Sequence, residues 1–167
     1  MLTSKNQIIQ FLDDQQIPFQ HISHPAVFTC DEAARLRPMD DIAHEAISTK
    51  NLFLCDKKGR RNLLVMTDCD KRLNLKDLAA SIGVNKLRFG SLERLHKYLG
   101  VTQGAVTVLG LINDVEHAVE LWIDEDIWKS AYFLCHPLVN TATLILSKSS
   151  LKRFFKISGH KIHLVRM

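Results

Sequence analysis

Apolar positions recur along the chain with two periods, and each period predicts a different element. Ser4-Lys5-Asn6-Gln7 has the form of a helix capping box, and Ile8, Phe11 and Leu12 follow at helical spacing, so a first helix is expected over 4–15. Pro18 favours an extended segment through Ile22. Thr29-Cys30-Asp31-Glu32 repeats the capping pattern and opens a short helix through Ala33, Ala34 and Leu36, with Pro38 as its stop. The clearest local feature is a hairpin, in which the apolar runs 51–55 and 62–66 flank the turn Asp56-Lys57-Lys58-Gly59. Asn74 and Ser91 stand where helix N-caps belong, and Gly83 and Gly100 where those helices close. Residues 106–111 look extended, and 119–124 alternate as a half-exposed strand. Strands over 132–134 and 141–146, a helix near 150–157 closed by Gly159, and a final strand over 163–165 complete the reading.

Helices fall irregularly among these strands, without βαβ alternation. That pattern predicts an α+β fold with a mixed, largely antiparallel sheet. No repeat, low-complexity tract or linker interrupts the 167 residues, so one domain over 1–167 is expected.

Composition narrows the class. The chain is 46% hydrophobic and 24% charged, the balance of a soluble globular protein, and its net charge of +4 permits an RNA partner without requiring one. The first segment is polar, with Asp13 and Asp14 where an export signal needs an apolar core, and no apolar run approaches the ~20 residues of a membrane span. A cytoplasmic location away from membranes is expected. Cys30, Cys55, Cys69 and Cys135 form no C-x-x-C or zinc pattern, so they are expected to be reduced and mostly buried, with no metal and no cofactor.

Three segments are candidates for chemistry. Ser48-Thr49-Lys50-Asn51 puts a lysine at the mouth of an apolar strand, either in solvent or aimed at a phosphate or oxyanion. The run from Gly104 to Asp114 is small and glycine-punctuated, either a plain strand and turn or a place where main-chain amides approach a ligand; it has no phosphate-loop fingerprint. His136-Pro137-Leu138-Val139-Asn140-Thr141 offers a histidine that is either structural or able to orient a water or carbonyl. No local signature of a covalent Ser or Cys nucleophile is present.

Several segments, in order, resemble one family. They are His24-Pro25-Ala26-Val27-Phe28-Thr29 with Glu32, then Thr49-Lys50-Asn51-Leu52-Phe53-Leu54 with the turn at 56–59. Leu99-Gly100-Val101-Thr102 follows with Gly104 and Gly110-Leu111-Ile112-Asn113-Asp114, and then His136-Pro137 with Asn140-Thr141-Ala142-Thr143, and Gly159-His160. Together they are similar to the YbaK-type aminoacyl-tRNA deacylases, and within them to the free-standing prolyl-tRNA editing proteins. The resemblance implies a curled, barrel-like mixed sheet surrounded by helices. It implies hydrolysis of the ester that joins a wrong amino acid, alanine, to the acceptor end of proline tRNA, with prolyl-tRNA synthetase as a further partner.

The family's catalytic positions fall on Lys50, Asn51 and His136. Its substrate-binding positions fall on Phe28, Thr29, Gly104, Ala105, Val106, Thr107, Asn113 and Asn140. One departure stands out: Val108 occupies the place of a family loop proline, which implies a less rigid loop. Ile47 and Ser48 likewise stand where relatives tend to have Gly and His. Removal of another small amino acid, cysteine or serine, and a non-catalytic tRNA- or synthetase-binding module remain open alternatives.

Overall fold

The computed structural model describes residues 1–36 and 41–167, so the expected stop at Pro38 lies outside the described residues. The elements in chain order are α1 (Lys5–Asp14), β1 (Phe19–Ser23), α2 (Cys30–Arg35), α3 (Asp41–Glu45), β2 (Ala46–Asp56), β3 (Asn62–Asp68), α4 (Leu75–Ile82), β4 (Leu87–Phe89) and α5 (Leu92–Leu99). A 3-10 helix (Val108–Asn113), β5 (Val119–Asp124), a short 3-10 turn (Ile127–Lys129), β6 (Tyr132–Cys135), β7 (Ala142–Ser147), α6 (Lys148–Ser158) and β8 (Ile162–Val165) follow.

Local signals set most boundaries. The Ser4 hydroxyl accepts the Gln7 amide and the Gln7 side chain accepts the Ser4 amide, a complete capping box. Asn74, Ser91 and Ser147 cap α4, α5 and α6, and Gly83, Gly100 and Gly159 close them with left-handed backbone.

The strands form one mixed sheet in the order β1-β7-β6-β2-β3-β5-β8, with β4 pairing β2 off that path. The hairpin β2–β3 registers Leu52 against Val65 and Leu54 against Leu63, as expected. Of the seven pairings among the described residues, four are antiparallel (β1·β7, β2·β3, β2·β4, β6·β7) and three parallel (β2·β6, β3·β5, β5·β8). The path ends at β1 and β8, so the sheet is not closed into a barrel.

The alternation of a strand explains how the sheet is covered on both faces. Phe53, Leu64 and Met66 face a core shared with α1, α5 and α6, where Phe133, Phe154 and Phe155 are fully buried. Leu54, Leu63 and Val65 point the other way, against Leu78, Ala79 and Ile82 of α4. Burial of each such side chain contributes roughly 1.5–3 kcal/mol.

Three expectations change. Residues 108–113 are a 3-10 helix rather than extended: the Thr107 hydroxyl caps it by accepting the Leu109 amide, and Gly110 packs so close to Leu99 that a Cβ there would lie 2.9 Å from the Leu99 carbonyl oxygen. The strand containing Lys50 begins at Ala46, which puts Lys50 inside β2 rather than at its mouth. Cys30 and Cys69 are not reduced but joined by a disulfide, Cα–Cα 5.8 Å, because α2 lies over the segment that follows β3; Cys55 and Cys135 are free and buried. No helix among the described residues is long and apolar enough to cross a membrane.

Candidate active site

The site arises from a gap in the ladder along β2. One edge of β2 pairs with β6 at 46–48 and with β4 at 54–56, and neither strand covers 49–53. A cavity of about 210 Å³ opens beside this gap. Its walls come from the segment between β1 and α2 and the first residue of α2 (His24, Phe28, Thr29, Cys30), from β2 (Ser48, Thr49, Lys50, Asn51), from Gly104 and Val106, and from the end of β6, the residue after it, and β7 (Cys135, His136, Thr143).

The Lys50 ammonium donates to the Cys69 carbonyl at 3.1 Å and to the Lys71 carbonyl. An ammonium has three donors, so one N–H is left for a ligand. The loop that supplies those carbonyls is itself anchored, because Lys71 Nζ pairs with the buried Asp124 at 2.8 Å, and Asp124 also accepts the Thr67 hydroxyl at 3.0 Å. Beside Lys50, Asn51 Oδ1 is a buried acceptor with no hydrogen-bond partner among the described residues. An unmet buried acceptor is costly.

The histidine tautomers follow from their partners. His136 Nδ1 faces the Ala142 carbonyl at 3.2 Å and must donate, so Nε2 keeps its lone pair. Burial holds the His136 ring below the usual imidazole range; the Ala142 carbonyl opposes that shift and the neighbouring His24 adds to it. His24 Nδ1 donates to the Pro25 carbonyl at 2.8 Å, and its Nε2 accepts the Thr143 hydroxyl at 2.9 Å. Burial pushes the Cys135 thiol up to about 12, which removes it as a thiolate nucleophile.

The structure brings together Lys50, Asn51, His136, Phe28, Thr29, Gly104 and Val106 around this one cavity. Gly104 has φ +87, a left-handed conformation that favours glycine. The Ala105 amide is used by the Thr102 carbonyl at 3.1 Å, whereas those of Gly104 and Val106 have no acceptor among the described residues. Asn140 stands one layer back: its side chain donates to the Val27 carbonyl at 3.1 Å and so fixes the strap that carries Phe28. Ala105 and Thr107 are buried beneath the loop and do not line the cavity. Asn113 lies apart from it, with its side chain clamping Leu2 and the Leu99 carbonyl. Val108 is the first residue of the 3-10 helix and fully buried. A first helical position needs no N–H donor, which is why a proline is accepted there, and Val108 is held in that place by burial instead of by a fixed φ.

Ser48 and Thr49, from the candidate segment around Lys50, line the cavity as well, and so do His24, Cys30, Cys69 and Thr143, which were not singled out as site residues from the sequence. The His24–Thr143 hydrogen bond spans 119 residues, which no local pattern encodes. Elsewhere Ser158, His160 and Asp114 form a buried chain of hydrogen bonds, Ser158 Oγ to His160 Nδ1 at 3.2 Å and His160 Nε2 to Asp114 Oδ2 at 3.1 Å. The order imitates a hydrolase triad. However, none of the three reaches the cavity and the Ser158 hydroxyl contacts the Phe155 carbonyl at 3.2 Å, so the chain latches the end of α6 to the start of β5.

A sequence model described as the aminoacyl-tRNA editing domain matches residues 24–154, from the histidine at the cavity wall to the middle of α6. The chain is 36% identical over 166 residues to the prolyl-tRNA editing protein ProX of Acetoanaerobium sticklandii, covering 99% of each. It is 35% identical over 159 residues to the prolyl-tRNA synthetase associated domain-containing protein 1 of Danio rerio, covering 93% of this chain and 83% of that one. Among solved structures, one described as a candidate trans-editing enzyme for prolyl tRNA synthetase matches with a TM-score of 0.69 at 18% identity, over 100% of this chain and 99% of the other, a likeness of fold. The chain belongs to the aminoacyl-tRNA editing domain family.

Proposed function

We propose that the protein is a free-standing deacylase, a single editing domain over 1–167, that hydrolyses alanine from mischarged proline tRNA in the cytoplasm. The observation that carries this reading is that one small cavity is lined by a lysine with a spare donor, a neutral histidine with a spare lone pair, and Asn51, whose Oδ1 is unmet. At about 210 Å³ the cavity is below the ~300–1,000 Å³ of ordinary ligand pockets, which suits an aminoacyl end with part of its ribose.

An aminoacyl ester is already activated, so placement and charge stabilisation are enough. In this scheme Asn51 Oδ1 accepts an N–H of the substrate's α-ammonium, and the free amides of Gly104 and Val106 face the ester carbonyl. The third N–H of Lys50 meets the developing oxyanion or the adjacent phosphate. Water adds to the carbonyl carbon as His136 Nε2 takes its proton. The acyl–oxygen bond then breaks, the proton passes to the departing ribose oxygen, and alanine and a free 3′ end result. A cavity that admits a methyl and excludes a proline ring supplies the second sieve that a synthetase needs.

The test is release of labelled amino acid from alanyl-, cysteinyl-, seryl- and prolyl-tRNA(Pro) by the purified protein. Hydrolysis of the alanyl ester with the prolyl ester spared is expected. Faster cysteine or serine release would reassign the substrate, and no release with retained tRNA binding would make the protein a binding module.

A further inference from the structure

Lys57, Lys58, Arg60, Lys86 and Arg88 gather at the far end of β2, on the β2–β3 turn and on the segment entering β4, and all five are exposed. Among the described residues no hydrogen bond or ion pair holds any of their charged ends. Phe89 beside them is 64% exposed. Arg61, which belongs to this group by sequence, does not belong by structure, since its guanidinium is held by Glu120 through two bonds of 2.7 Å. The carboxylate of Asp56, at the base of the turn, is occupied by the amides of Arg60 and Arg61 at 2.7 and 2.9 Å.

The frame under these cations is fixed. Arg94 donates to the Gly59 carbonyl at 2.9 Å and to Asn62 Oδ1 at 2.7 Å, and the Lys57 amide donates to the Lys86 carbonyl at 3.1 Å, which ties the turn to β4. Five unpaired cations on a rigid platform, with an aromatic face among them, form a surface complementary to a polyanion with stackable bases.

Its position supplies the second argument. β4 lies on the same edge of β2 as the gap that opens into the cavity. Phe89 is in register with Leu54, three residues from Asn51, so it stands roughly 10 Å along the strand from the site, and the turn lies roughly 20 Å along. At ~3.4 Å per stacked nucleotide this is the length of about three to six nucleotides.

We propose that this surface takes the sugar–phosphate backbone of the tRNA acceptor arm just behind the 3′ end held in the cavity. The proposal rests on the deacylase reading for the position of that end. The phosphates meet Lys57, Lys58, Arg60, Lys86 and Arg88, and Phe89 offers its ring to an unpaired base or a ribose.

The test measures binding of uncharged tRNA(Pro) by the full chain between 50 and 200 mM salt, for wild type, Lys86→Glu/Arg88→Glu, Phe89→Ala, and Lys152→Glu as a control on α6. Loss of two phosphate contacts should flatten the slope of log Kd against log salt by about 1.5 and weaken binding tenfold or more in the double variant. Phe89→Ala should weaken binding without changing the slope, and the control should match wild type. A slope and affinity unchanged in the double variant would overturn the proposal, as would an equal loss in the control. If the same variant instead loses only capture by purified prolyl-tRNA synthetase, the surface takes a protein and not RNA. Because uncharged tRNA is used, the result stands apart from turnover. Hydrolysis of alanyl-adenosine, which lacks the arm, tests the cavity alone and should be unaltered in the double variant.

Discussion

The Lys50 ammonium donates to the main-chain carbonyl of Cys69 at 3.1 Å. Cys69 is also one half of the disulfide to Cys30 on α2, so a single residue joins the candidate catalytic cation to the α2 wall of the cavity. The register between Lys50 and Thr67 keeps the lysine beside the end of β3, from which that residue emerges.

Replacing Lys50 with Ala should lower single-turnover deacylation of alanyl-tRNA(Pro) on the order of 100-fold or more, as does loss of one oxyanion donor elsewhere. Two carbonyls lose a charged donor, so a stability cost of about 1.5–3 kcal/mol is expected in a denaturant melt. Lys50→Arg should restore stability better than rate, because a planar fork does not reproduce the ammonium's placement. Near wild-type turnover by a folded Lys50→Ala protein would remove the lysine from the mechanism.

His136 should set the acid limb of the rate. Burial lowers its pKa, with His24 adding to that and the Ala142 carbonyl opposing it, so Nε2 stays unprotonated down to a pH below the ordinary 6.5. The rate should therefore be flat through neutrality and fall with a midpoint under that value. His136→Gln should be slow and show no inflection there; an unchanged acid limb in this variant would assign the titration to another group.

Acid should also loosen the latch at Asp114. Burial pushes its carboxyl up, but the hydrogen bond from His160 and the amides of Val119 and Ala118 outweigh this and hold it below the ordinary 3.8. A carboxyl depressed in the folded state stabilises above its unfolded value, and that contribution disappears as pH falls through the folded one. Thermal melts should thus drop as pH falls below about 4. Asp114→Asn should melt lower at neutral pH and depend less on acid over that range.

Thiol labelling reads the cross-link directly. Under denaturing, non-reducing conditions two cysteines, Cys55 and Cys135, should alkylate; after reduction all four should. The bridge closes a separation of 39 residues, so Cys30→Ser or reduction should cost about 2–4 kcal/mol of stability. Four labelled thiols without reductant would refute the bridge.

What the sequence made legible was local. Ser4, Asn74 and Ser91 declare helix starts within four residues, and the turn at Gly59 declares a hairpin, because each signal lies beside what it controls. The three-residue β4 and five-residue α3 are too short to show a period, and the apolar run Val108-Leu109-Gly110-Leu111 reads as a strand until Thr107 and Gly110 are seen to bend it. Three residues that line the candidate cavity, Lys50, Asn51 and His136, were legible through resemblance. Asn113 matched the same pattern, yet its partners are Leu2, 111 residues away, and Leu99. The Cys30–Cys69 bridge and the bond from His24 to Thr143 likewise exist only once distant segments meet.

Strand pairing also fixes when the cavity can exist during synthesis. β2 and β3 can zip together as soon as residue 68 has left the ribosome, since their contacts are local. β1 must wait for β7, its partner from 142 to 146, and β2 gains its second neighbour at that edge only with β6. A nascent chain stalled before residue 132 would therefore carry a formed hairpin but no cavity, and its N-terminal strand would remain unpaired and open to chaperones or to another chain. The cavity can therefore close only after both β6 and β7 have been made.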